Sequence, residues 1–148
     1  MGKTHSMLSI AVKAICAGVI FASTLYAIWV VGPWLETRYF PAVGKLMIQQ
    51  ATEIDGKSVL HVAFRKLRDC EYIGIAWYRG QQGGEFTRVP IVLGRQEDDN
   101  SSPNRAVGFQ FTGPWTVDVP MAELHSNSFA LLQHRCHPAW LTTTEFYP

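Results

Sequence analysis

The chain has 148 residues, a formal net charge of +1 and a hydrophobic content of 47%. Its 13 Lys and Arg residues are spread along the sequence. Nucleic-acid binding needs a basic stripe that neutralises phosphates, so we expect no nucleic-acid partner. After the N-terminal apolar run described next, about 100 residues remain, which is enough for one small domain and too little for two.

An uncharged, mostly apolar run from Ala14 to Trp34 organises the sequence. Its length matches the roughly 20 residues that a helix needs to cross a hydrocarbon layer about 30 Å thick. The run is longer than the apolar part of a secretory signal peptide, and it contains no Ala-x-Ala cleavage site. We therefore predict an uncleaved transmembrane helix at residues 14–34 in the lipid bilayer, preceded by a tail at residues 1–13.

The residues that flank this run predict its orientation. Lys3 and Lys13 precede it without any acid, whereas Glu36 and Arg38 cancel just beyond it. The positive-inside rule then predicts an inner-membrane protein with a cytoplasmic tail and a periplasmic C-terminal domain. Aromatic side chains that suit the membrane–water interface lie at the outer end of the run: Trp29, Trp34, Tyr39 and Phe40.

Small residues recur along the predicted helix at intervals of three or four, the spacing at which helices pack closely in membranes. These residues are Ala14, Ala17, Gly18 and Ala22. The run contains none of the charged residues that mark an ion path. We therefore expect the helix to be both an anchor and a packing surface for other membrane-protein subunits.

The rest of the chain reads as a connector at residues 35–56 and a β domain at residues 57–148. The apolar pattern of the connector fits a helix or a strand equally well. Beyond it, six or seven short alternating segments predict an extracytoplasmic β-sandwich, with a small β-barrel as the alternative. Pro90 indicates an edge strand, and Gly113-Pro114-Trp115 is expected to interrupt a strand.

The most polar stretch, Gln96 to Asn104, is predicted to be an exposed loop. Glu97, Asp98 and Asp99 lie within it. Carboxylate oxygens suit Ca²⁺, so these residues are either a calcium site or simply a solvated acidic run.

Cys70 and Cys136 are the one possible pair of cysteines in the exposed domain, and an oxidising compartment predicts a disulfide between them. With Trp77, they resemble the pattern of an immunoglobulin domain, in which a disulfide between the two sheets packs on a buried Trp. That resemblance implies an immunoglobulin-like sandwich, and it implies no particular activity.

His134, Cys136 and His137 form the densest group of potential metal ligands. One thiolate and two imidazoles suit Zn²⁺ or Cu²⁺, so a periplasmic metal-binding protein is an alternative function. A disulfide at Cys136 would remove the thiolate, and the two uses therefore compete. We predict no resident cofactor.

Trp115 and Trp140 each follow a turn that contains proline. They either stand exposed at one end of the domain, where they would form a partner surface, or cap its core.

The sequence contains no Gly-x-Ser-x-Gly, no Cys-x-x-Cys and no complete P-loop. We therefore predict a non-catalytic accessory or structural subunit that docks on a larger membrane assembly, with no small-molecule substrate identified. A phage or envelope protein that recognises a surface partner is a further alternative.

Overall fold

A computed structural model describes residues 2–95 and 103–148, with side chains from Ser9 onward. The calcium alternative at Glu97, Asp98 and Asp99 lies outside the described residues. So does most of the polar loop predicted at Gln96–Asn104.

A long helical segment opens the chain. Helix α1 (Gly2–Tyr26) continues through a π-helical segment (Ala27–Val31) into α2 (Gly32–Tyr39). Residues Ser9–Tyr39 form a helix long and apolar enough to span a membrane. The helix therefore extends beyond the predicted 14–34 at both ends, and it includes residues assigned to the tail and the connector.

Pro33 does not end the helix. It lies in the first turn of α2, directly after the π-helical segment. Proline has no N–H to bond the carbonyl four residues earlier, and its ring crowds that carbonyl. A widened π turn before the proline is a common way for a helix to absorb this defect.

The segment after the helix is packed against the β domain. Ala42, Val43 and Leu46 are buried, and the Ala42 carbonyl accepts a hydrogen bond from the Leu67 N–H at 2.9 Å. A single β-bridge joins Val43 to Lys66. The second half of the predicted connector is a strand, so the strand alternative is correct there.

Within the described residues, eight strands and one short helix follow. They are β1 (Met47–Ile54), β2 (Lys57–Lys66), β3 (Glu71–Gly80), β4 (Phe86–Val89), β5 (Ile91–Leu93), β6 (Gly108–Val117), α3 (Met121–Leu124), β7 (Ser128–Arg135) and β8 (Thr142–Phe146). The described part of the chain is thus mainly β with one N-terminal apolar helix.

The strands form two antiparallel sheets of four, in the orders β1-β2-β6-β5 and β4-β3-β7-β8. Among the residues described, neither sheet closes on itself, so the predicted small barrel does not form. Pro90 separates β4 from β5, and these two strands lie at the edges of different sheets. Pro90 therefore lies where the chain passes from an edge strand of one sheet to an edge strand of the other.

The expected interruption at Gly113-Pro114-Trp115 is wrong, because β6 runs through it. Gly113 has a φ of +134°. A Cβ there would lie 2.7 Å from the Leu60 carbonyl oxygen. The pairing register of β2 with β6 shifts between Leu60 and Val62, opposite this glycine. The strand accommodates the irregularity as a bulge instead of ending.

Both sheets contribute to one hydrophobic core. The first sheet provides Leu60, Val62, Trp115 and Val117, and the second provides Trp77, Ala130, Leu132 and Phe146. Trp77 is fully buried, and its indole N–H donates to Ser128 Oγ at 3.1 Å. Its polar atom is therefore satisfied inside the apolar core.

Cys70 and Cys136 form a disulfide. Cys70 directly precedes β3 and Cys136 directly follows β7, and these two strands are neighbours in one sheet. The bond therefore closes one end of a single sheet. In an immunoglobulin domain, by contrast, the disulfide joins the two sheets.

We expect the Cys70→Ala/Cys136→Ala double variant to lose about 4 kcal/mol of the free energy of unfolding of the β domain. The bond closes a loop with a sequence separation of 66, and a loop of that length restricts the unfolded chain by about this amount. Urea unfolding in mild detergent, followed by Trp fluorescence, measures the loss. Cys16→Ala removes the free thiol and is the matched control. A loss below about 1 kcal/mol in the double variant would contradict the expectation.

Candidate functional site

The end of the helix is bonded to the β domain through the carboxylate of Glu36. Arg68, which lies between β2 and β3, donates from Nη1 to Glu36 Oε1 at 2.7 Å. The indole N–H of Trp140, in the β7–β8 loop, donates to Glu36 Oε2. The same Arg68 nitrogen also donates to the Phe40 carbonyl at 2.9 Å. We call Gly32, Glu36, Arg68, His137 and Trp140 the junction.

The ring of Trp140 contacts both His137 and the helix within the junction. The ring of His137 stacks on it with centroids 3.8 Å apart and an angle of 10° between the planes. A Cβ at Gly32 would lie 3.1 Å from the Trp140 ring, so the indole approaches the helix backbone closely because position 32 has no side chain. The indole is half-buried as a result.

The disulfide holds both donors of the junction in place. Arg68 lies two residues before Cys70, and Trp140 lies four residues after Cys136. The two segments that carry these donors therefore lie at the same end of the sheet, which the disulfide closes. Glu36 is the acceptor that these two segments share.

The remaining helix surface is exposed. Val19, Ile20, Ser23, Thr24 and Ala27 lie along a concave apolar face that ends at Trp140. Successive residues of an α-helix are rotated by about 100° around its axis, so Gly18 lies on the opposite side of α1 from this face. Among the residues described, no atom beyond the adjacent turns of the helix backbone comes within 4 Å of a Cβ built at Gly18.

The predicted interface residues cluster at the end of the helix. Trp29, Trp34, Tyr39 and Phe40 are all exposed. Trp34 and Tyr39 make an edge-to-face contact with ring centroids 6.4 Å apart. Rings in this position suit the headgroup region of a bilayer.

The predicted metal ligands do not come together. His134 is 3% exposed, inside β7, whereas His137 stacks on Trp140 in the junction. Cys136 is in the disulfide and has no thiolate to offer. Among the residues described, no three His, Cys, Asp or Glu side chains are grouped to hold a metal ion.

Trp115 and Trp140 do not form an exposed pair. Trp115 is 6% exposed and belongs to the core, because it lies on the inward face of β6, whereas Trp140 packs on the helix. The exposed aromatic rings of the β domain are elsewhere. Phe109 and Phe111 are 54% and 65% exposed, with ring centroids 5.3 Å apart.

Sequence analysis singled out neither Glu36 and Arg68, which form the junction, nor Lys66, a buried lysine at the end of β2. Glu36 had a signal, since it is the first charged residue after the apolar run. Arg68 and Lys66 had none, because an Arg or Lys at the end of a strand is ordinarily solvated.

We expect Glu36→Ala to raise the rate of trypsin cleavage after Lys45 about tenfold. The substitution leaves Arg68 and the Trp140 indole without their shared acceptor. Bonds to a partly exposed carboxylate contribute roughly 1–2 kcal/mol. When opening is fast, proteolysis follows the population of the open state. Mass spectrometry of the digest in mild detergent identifies the cleaved bond.

Glu123→Ala is the matched control for the trypsin experiment. Glu123 bonds Arg79 Nε at 2.6 Å near α3, away from the junction, so its loss leaves cleavage after Lys45 unchanged. Equal cleavage of the Glu36 variant and the native chain would show that the junction does not hold the segment between α2 and β1 in place.

We expect the β domain to lose stability as the pH falls from 6.5 to 4. Burial, with a contribution from the Lys66 charge, lowers the pKa of His134 to about 4, whereas an unfolded His titrates near 6.5. Tyr72 also faces the ring, and Arg95 and Arg105 line the same cavity. Between these pH values the unfolded chain binds more protons, so acid favours unfolding by about 2–3 kcal/mol.

The pH effect is measured as urea midpoints at a series of pH values for the native chain, His134→Gln and His125→Gln. His125 is exposed, so its variant retains the native slope, whereas His134→Gln flattens it. If His134→Gln keeps the full slope, another group causes the acid sensitivity.

Comparison with known proteins assigns no family to this chain. No protein-family model, no curated protein and no solved structure matches it. The function proposed next is therefore argued from the residues and contacts described above.

Proposed function

We propose that this chain is a non-catalytic, single-pass membrane protein and an accessory subunit of a larger membrane assembly. The observation that carries the proposal is the junction, in which Glu36 joins the end of an apolar helix to both Arg68 and Trp140. A β domain held in this way keeps one orientation relative to the helix. The chain then presents helix and sheet to a partner as one preorganised surface, which reduces the entropy lost on docking.

The proposed orientation has the N-terminus in the cytoplasm and the β domain in the periplasm. The charge bias of Lys3 and Lys13 before the apolar run supports this orientation. The disulfide also supports it, since such bonds persist in oxidising compartments. The exposed Trp34 and Tyr39 then lie at the outer membrane–water boundary.

We also propose that the two sheets form a sandwich of immunoglobulin type. Their strand orders, β1-β2-β6-β5 and β4-β3-β7-β8, correspond to A-B-E-D and C′-C-F-G of that architecture. Trp77 is buried on β3, which corresponds to strand C. The position of the disulfide departs from the family pattern, and the likeness concerns architecture alone.

The helix surface available for docking is the row of Ala14, Gly18 and Ala22. It lies on the opposite side of α1 from the concave face that ends at Trp140, so the β domain does not cover it. Small residues on such a row let a second helix approach closely in the bilayer. The partner is therefore proposed to be a transmembrane helix of a neighbouring subunit.

A second surface lies on the β domain near the membrane. Phe109 and Phe111 are exposed on β6, and Phe109 pairs with Arg65 near the end of β2. That end of β2 contacts the segment between α2 and β1, since the Arg65 carbonyl accepts a hydrogen bond from the Gly44 N–H at 2.8 Å. The same partner can therefore contact the small-residue row in the membrane and this aromatic pair outside it.

Gly18→Leu is expected to lower the yield of co-purified membrane partners about tenfold. A leucine on the small-residue row prevents close helix approach, which removes roughly 1–2 kcal/mol of packing. The yield is measured by gentle detergent extraction and quantitative mass spectrometry. Cys16→Leu places a leucine on the opposite side of α1 and leaves the yield unchanged. A lone chain in the native extract, or equal yields from all three proteins, would contradict the proposal.

A further inference from the structure

An interior cavity of about 180 Å³ lies between the two sheets. Phe64, Trp115 and Leu132 provide apolar walls, and the polar side chains of Lys66 and His134 reach it from β2 and β7. Leu93, at the end of β5, also lines the cavity. This combination of apolar walls and a few converging polar groups is typical of small-molecule sites.

The ammonium group of Lys66 is buried beside this cavity. Lys66 is 2% exposed, and its Nζ donates to the Cys70 carbonyl at 2.9 Å. An ammonium has three protons to donate. In the part of the chain that the structure describes, Nζ contacts no carboxylate. A buried cation without a counter-ion is costly, so a group that neutralises it is strongly favoured.

The ring of His134 provides a second unsatisfied group in the same cavity. His134 is 3% exposed, and among the residues described its Nδ1 has no hydrogen-bond partner. The ring makes an edge contact with Tyr72, with centroids 5.7 Å apart. Buried polar atoms in folded proteins nearly always have partners, so an unpartnered nitrogen on a side chain that lines a cavity points to a partner bound there.

We propose that the cavity binds a small organic carboxylate whose anionic group contacts Lys66 and His134 and whose apolar body packs on Trp115 and Leu132. The carboxylate accepts charge-assisted hydrogen bonds from Nζ. It also accepts from the ring of His134 when Nδ1 carries the proton. The apolar walls favour a short hydrocarbon or aromatic body over inorganic phosphate. This inference is independent of the proposed docking function.

The matched variants are both on β2. Lys66→Met removes the ammonium at nearly constant volume, and Lys57→Met removes an exposed charge at the opposite end of the strand. His134→Phe removes the orphaned nitrogen and keeps a ring in place. Replacing a buried charge by an apolar side chain commonly preserves folding, which circular dichroism checks for each variant.

The experiment uses the full chain in lipid nanodiscs, with 4-fluorobenzoate as the probe and its neutral analogue 4-fluorobenzamide as the control. Binding is read from ¹⁹F line widths in a titration. We expect saturable binding of the benzoate at least tenfold tighter than that of the benzamide. Lys66→Met weakens benzoate binding at least tenfold, His134→Phe weakens it severalfold, and Lys57→Met leaves it unchanged.

Three outcomes would overturn the inference. They are the absence of saturable benzoate binding, equal affinity for benzoate and benzamide, and native affinity in Lys66→Met. The first means that the cavity holds only water under these conditions. The comparison of the two probes on the native chain needs no variant, so it remains decisive if Lys66→Met does not fold.

Discussion

The attachment of the helix to the β domain depends on one carboxylate and one covalent bond. Glu36 accepts hydrogen bonds from Arg68 and Trp140, which are 32 and 104 residues away in sequence. The Cys70–Cys136 disulfide brings the segments that carry these two donors to the same end of one sheet.

The sequence predicted the features that can be read from a repeating pattern or from a count of residues. The apolar run and the alternating strands repeat along the chain, and Cys70 and Cys136 are the one possible pair of cysteines after the run. The junction could not be predicted in the same way. Its members are far apart in sequence and become neighbours only when the strand order is known.

Two other expectations from the sequence differ from the structure, one at a strand irregularity and one at a pair of histidines. Gly113 and Pro114 suggest a break, yet β6 continues because a bulge between its pairings with Leu60 and Val62 absorbs the extra residue. His134 and His137 are three residues apart and suggest a shared ligand set. The strand instead buries the first between the sheets, and the turn stacks the second on Trp140. In both cases tertiary packing decided what local pattern left open.

The π-helical segment Ala27–Val31 has a further geometric consequence. Glu36 follows Gly18 by about five regular turns, so in an uninterrupted α-helix the two would share a face. One additional residue in a widened turn rotates everything beyond it by about 100°. The π-helical segment therefore rotates the part of the helix that follows it relative to the part that precedes it. It directs the carboxylate of Glu36 toward the β domain and leaves the small residues of α1 facing away from it.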